Sequence, residues 1–147
     1  AGIPSIYAND NFGRWQSDFH DVLDHCLHDQ VRGQRIAEVL RPGPDDYFVL
    51  KPKHSAFFAT TLETLLRYLG TRRLILTGFA ADICVLFSAN DAYMRDFEIV
   101  VPEDCVASES PSRTRMALDL MRSILRTRTT PSDHISLEML GPGPAPD

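Results

Sequence analysis

The feature that most constrains this chain is a repeated change of period: short apolar runs suited to buried strands alternate with segments whose apolar residues recur at helical spacing. The strand-like runs are residues 3 to 8, Tyr47-Phe48-Val49-Leu50, Leu74-Ile75-Leu76-Thr77, Phe97-Glu98-Ile99-Val100-Val101 and about 134 to 139. Between the first two, Ser17 is an N-cap candidate. Phe19, Val22, Leu23, Cys26 and Leu27 then form an amphipathic stripe that predicts Cys26 in the core. A shorter helix over about 34 to 40 stops at Pro42-Gly43-Pro44. Leu62, Leu65, Leu66 and Leu69 mark a third helix, closed by Gly70. Residues 82 to 95 are apolar on nearly every face and predict a deeply buried helix. Pro111 suits the first turn of a last helix carrying Met116, Leu120, Met121, Ile124 and Leu125. Regular alternation of this kind requires crossover connections, so the expected fold is α/β, three layers (α/β/α) around a mostly parallel sheet. Ligands in such sheets bind beyond the carboxyl ends of the strands.

A chain of 147 residues fits one domain, here residues 1 to 140, with the Gly-Pro-rich residues 141 to 147 expected to be a disordered tail. The formal charge of −5 and the lack of a Lys/Arg run speak against a nucleic-acid partner and for a small-molecule one. Cys26, Cys84 and Cys105 form an odd set without a CxxC pair, neither a disulfide framework nor a zinc pattern, so a reducing cytoplasm suits them. No apolar stretch approaches the roughly 20 residues of a membrane helix. The sequence opens at Ala1 and runs directly into Ile3-Pro4-Ser5-Ile6-Tyr7-Ala8, the pattern of a chain entering a strand in mid-domain.

Two stretches carry chemistry. Thr77-Gly78-Phe79-Ala80-Ala81-Asp82-Ile83-Cys84-Val85 reads as a strand end, a tight turn and a cysteine in the first turn of a buried helix. Unpaired amides and the macrodipole at a helix start favour thiolate over thiol and can hold a developing oxyanion. The plainer reading is a small buried thiol at a strand-helix junction. Lys51-Pro52-Lys53-His54-Ser55-Ala56-Phe57 follows a different strand and so faces the same sheet edge. A lysine there can stabilise a thiolate or polarise a carbonyl, although a solvated surface charge is the commoner role.

Together these stretches resemble isochorismatase-like hydrolases. Lys51 to Phe57 is similar to that family's Lys-x-x-x-Ser-Ala-Phe segment, and Gly78 to Val85 to its Gly-x-Ala-x-Asp-x-Cys-Val turn; the resemblance runs from residue 3 to about 140. It implies a cysteine hydrolase that cleaves amide-type C–N bonds in small molecules, as nicotinamidases and N-carbamoyl amidohydrolases do, through a thioester on Cys84. Lys51 matches the family lysine. The amides of Ala80 and Cys84 match the oxyanion hole, and the Phe79–Ala80 peptide matches a bond that is cis in the family. Asp82 reads as a first-turn helix acid, not a catalytic one. The resemblance further implies a homo-oligomer.

The family's aspartate lies at the end of its first strand, and that segment has no counterpart in this sequence. The missing strand is central in the family sheet, between the second and fourth. The resemblance therefore predicts a gap in mid-sheet, filled by about 30 further N-terminal residues or by another segment or chain, because unpaired strand edges are costly to bury. The same absence motivates an alternative reading, a catalytically incomplete family member acting as a binding or assembly subunit. Asp10, at the end of the first strand present, is the nearest substitute by topology, or else a turn-forming aspartate. Metal-binding nicotinamidases follow this strand with Asp-x-His, which Asp10-Asn11-Phe12 lacks, so no metal and no cofactor are expected. Loop position makes Asn9, Phe12 and Trp15 candidates for shaping the substrate pocket. His25 and His28 share the polar side of the first helix and read as a solvated face, and Cys105 as a buried structural thiol.

Overall fold

The computed structural model describes residues 3 to 11, 19 to 28 and 31 to 136. The predicted alternation is present. The order is β1 (Ile6–Asp10), α1 (Phe19–His28), α2 (Gln34–Val39), β2 (Tyr47–Lys51), α3 (Leu62–Tyr68), β3 (Arg73–Ile75) and β4 (Gly78–Phe79). A π-turn over Ala81–Val85 then leads into α4 (Leu86–Tyr93), β5 (Glu98–Val100), β6 (Val106–Ala107) and α5 (Pro111–Ile124). Every strand pair is parallel: β1 with β2, β3 with β5, and β4 with β6, extended by a bridge between Val100 and Arg128.

Local chemistry explains the boundaries. Helix α3 closes on Gly70 at φ +63°, with Thr71 N–H donating to the Leu66 carbonyl at 2.9 Å and Gly70 N–H to that of Arg67 at 3.1 Å. That double bond pattern needs a left-handed residue, which glycine adopts without a Cβ penalty. Helix α5 starts with Pro111 directly after Ser110, whose hydroxyl accepts from the Arg113 N–H at 3.4 Å. The core gathers Val49 from β2, Leu62 and Leu66 from α3, Val85, Ala89 and Ala92 around α4, Ile99 and Val101, and Ala117, Leu118 and Met121 from α5.

Four expectations are corrected. Helix α4 buries Ser88, Ala89 and Ala92 but leaves Phe87 half exposed, because its small residues, not its aromatic ones, face the core. Cys26 is only partly buried; Leu27, the next residue, takes the buried position. Cys105, too, is partly exposed. No strand begins at His134. Ser132–His134 form a 3₁₀ turn held by Asp104, whose carboxylate accepts from the Ser132 N–H at 2.8 Å and its hydroxyl at 2.6 Å. The rest of that predicted strand and the predicted tail lie outside the described residues. Two elements had no sequence signal: β4 and β6 are two residues each, too short to show a period.

Sheet β1–β2 and sheet β3–β5 share no hydrogen-bonded ladder among the described residues. Between them runs a cavity of about 490 Å³, lined by Ile6 and Ala8 from β1, by residues 73 to 75 of β3 and by Leu62 and Leu66 from α3. The cavity therefore lies between β1 and β3. Lys51 and Cys84 also line it.

Candidate active site

Three elements converge where Lys51 and Cys84 meet the cavity. Strand β2 ends at Lys51, which is 3% exposed, and the register places Lys51 directly opposite Asp10, the last residue of β1. Residues opposite one another in a ladder present their side chains on the same face. The Lys51 ammonium donates to Asp10 Oδ1, to the Lys53 carbonyl at 3.3 Å and to Cys84 Sγ at 3.4 Å. Backbone pairing continues past the strand, with Asn11 N–H donating to the Lys51 carbonyl at 3.0 Å.

Cys84 is presented by the π-turn that follows β4. Gly78, at φ +110°, lies in backbone space that side chains rarely adopt, and the Phe79–Ala80 peptide is cis. Ala80 is extended, and its carbonyl accepts from the Ile83 and Val85 amides, each at 3.2 Å. The Gly78 N–H donates to the Cys105 carbonyl at 2.9 Å, which starts the parallel ladder of β4 with β6.

Both halves of the cluster are anchored from behind. Ser55 donates to Asp91, and Ala56 N–H donates to Ser88 Oγ at 2.9 Å, so the loop after Lys51 is tied to the helix that follows Cys84. Ser55, Ala56 and Phe57 are all buried. On the other side, Arg113 donates to Asp82 Oδ2, and Asp82 N–H donates to Ser108 Oγ at 3.3 Å. The Ser108 hydroxyl first, and the Arg113 guanidinium after it, hold the Asp82 carboxyl below its ordinary range against the opposing effect of burial. Asp82 is thus the first-turn acid that the sequence suggests, with the added task of tying the cysteine turn to α5.

The structure brings together Cys84 and Lys51, and adds Asp10. Asn9 alternates to the other face of β1 from Ile6, Ala8 and Asp10. Phe12 and Trp15 lie outside the described residues. His25 and His28 are exposed on α1, where the His28 ring meets the Asp24 carbonyl at 3.2 Å. Among the described residues no group of three His, Cys, Asp or Glu side chains converges as metal ligands would. His54 packs at 5.5 Å on the ring of Phe87, a contact that no local sequence signal announced.

Fold and cluster together define a parallel α/β domain that presents a thiol and an ammonium at the carboxyl ends of its strands, above an internal cavity. Residues 1–132 match the isochorismatase domain model, and the chain belongs to that family. It is 45% identical over 132 residues, 90% of this chain and 72% of the relative, to an uncharacterized isochorismatase family protein, YaaI, of Bacillus subtilis (strain 168). N-carbamoylsarcosine amidase from Thermoplasma acidophilum superposes with a TM-score of 0.68 at 30% identity, covering 92% of this chain and 76% of that one. Nicotinamidase PncA from Bacillus subtilis gives 0.66 at 27% identity, covering 88% and 75%. The mixed α/β architecture with parallel sheets is the one these neighbours share.

Proposed function

We propose that this chain forms the core of a cysteine hydrolase that cleaves an amide-type C–N bond in a small molecule. The observation that carries the reading is the 3.4 Å approach of Lys51 Nζ to Cys84 Sγ on the wall of the cavity. An ammonium at that distance stabilises a thiolate, which is the nucleophilic form of cysteine. Similarity to an N-carbamoylsarcosine amidase and a nicotinamidase supports carbamoyl and carboxamide compounds as the substrate class.

In this reading the Cys84 thiolate attacks the substrate carbonyl and the Ala80 and Cys84 amides hold the oxyanion. The leaving nitrogen takes a proton from solvent and departs as ammonia or an amine, and water then hydrolyses the thioester to release the acid and restore the Cys84 sulfur. The test is ammonia release from a panel of amide and carbamoyl compounds, followed by Cys84→Ala on any substrate found. Loss of at least about a hundredfold in kcat/KM is expected for a missing nucleophile. Turnover that survives the substitution rules out the thioester route.

A further inference from the structure

We propose that Asp10 is a positioning residue of this site: its carboxylate balances the Lys51 ammonium and holds Nζ against Cys84. The inference rests on the assignment of Lys51 and Cys84 made above. Asp10 is also not the acid that the family resemblance implies, since that acid belongs to a strand preceding β1.

Lys51 is nearly fully buried, and a buried charge is tolerated only when it is paired and hydrogen-bonded. An ammonium carries three N–H donors and no acceptor. Here the three find three acceptors, one each on β1, on the loop after β2 and on the cysteine turn: Asp10 Oδ1, the Lys53 carbonyl and Cys84 Sγ. A neutral amine would offer one donor fewer, so the geometry fits the ammonium. Among the described residues the titratable groups in contact with Lys51 Nζ are Asp10 and Cys84, and the Lys53 side chain adds a second positive charge on the same loop. Asp10 is therefore the permanent anion of the set, because Cys84 loses its negative charge whenever it is acylated.

That difference gives Asp10 its function. When the thiolate becomes a thioester, Lys51 loses that anionic partner, and Asp10 continues to oppose loss of the proton and drift of the side chain. A positive charge stays beside the reacting carbonyl through both halves of the reaction.

The test compares Asp10→Asn, equal in shape but uncharged, with Asp10→Glu, which keeps the charge. Protein carrying ¹³C-labelled lysine is titrated by NMR, with the Lys51 resonance assigned through Lys51→Arg. The pH at which Lys51 loses its proton is expected to fall by about one unit or more in Asp10→Asn and to return toward wild type in Asp10→Glu. On a substrate turned over by the wild type, the alkaline limb of kcat/KM should move to lower pH by the same amount in Asp10→Asn. A Lys51 titration that is the same in wild type and Asp10→Asn overturns the proposal, as does a Glu variant that titrates like the Asn variant. The NMR measurement needs no substrate, so its result stands apart from whether Cys84→Ala abolishes amide hydrolysis.

Discussion

At the scale of single residues, the site is a contact between groups far apart in sequence. Cys84 could be singled out from its place between a tight turn and a buried helix, and Lys51 from the Ser55-Ala56-Phe57 segment that follows it. The sequence placed Asp10 at the right strand end without revealing its partner, because a turn-forming aspartate and an ion-paired one look alike until the register is known. Asp82 carries a prediction of its own. Its carboxyl is held below the ordinary value of 3.8 by the Ser108 hydroxyl and the Arg113 guanidinium. A carboxyl lowered by folding contributes stability above its unfolded value and loses it as pH falls through the folded one. Wild-type protein should therefore lose thermal stability on acidification from about pH 4 downward more steeply than Asp82→Asn. Parallel melting curves for the two proteins across that range would disprove the pairing.

At the scale of elements, the ends of the helices were more legible than their faces. Gly70 and Pro111 marked a stop and a start by backbone chemistry that acts within one turn. The Ser110 hydroxyl accepts from the Arg113 N–H, so Ser110→Ala should cost about 0.5 to 2 kcal/mol, read from urea denaturation. An unchanged midpoint would show that water replaces the cap. Faces were harder: residues 82 to 95 looked buried all round, yet Phe87 and Tyr93 reach solvent while Ala89 and Ala92 are sealed. Apolarity alone does not say which side a neighbour covers. Residues 134 to 136, the described part of the last expected strand, form none, since Asp104, 28 residues earlier, accepts from both the amide and the hydroxyl of Ser132 and draws the chain into a turn.

At the scale of the whole molecule, the core and the cavity share a wall. Leu66 is 2% exposed, packs in the core and also lines the cavity beside β3. Leu66→Ala should destabilise the protein by about 2 to 5 kcal/mol, since the lost side chain leaves a void that only partly collapses. Chemical denaturation reads the loss. A cost well under 2 kcal/mol would mean that the cavity wall repacks.

The sequence by itself determined the alternation of strands and helices and the helix ends, because these depend on periods and backbone preferences spanning a few residues; it pointed to Cys84 by its place at a helix start and to Lys51 mainly through a family resemblance. Only the tertiary structure decided that Asp10 stands opposite Lys51 across 41 residues, that Lys51 reaches Cys84 across 33, and that Asn9 faces away. Those outcomes follow from strand register and from the paths of the crossovers. A shift of one residue in register would turn every side chain of β1 to the opposite face, and no local pattern in the chain encodes which register is taken.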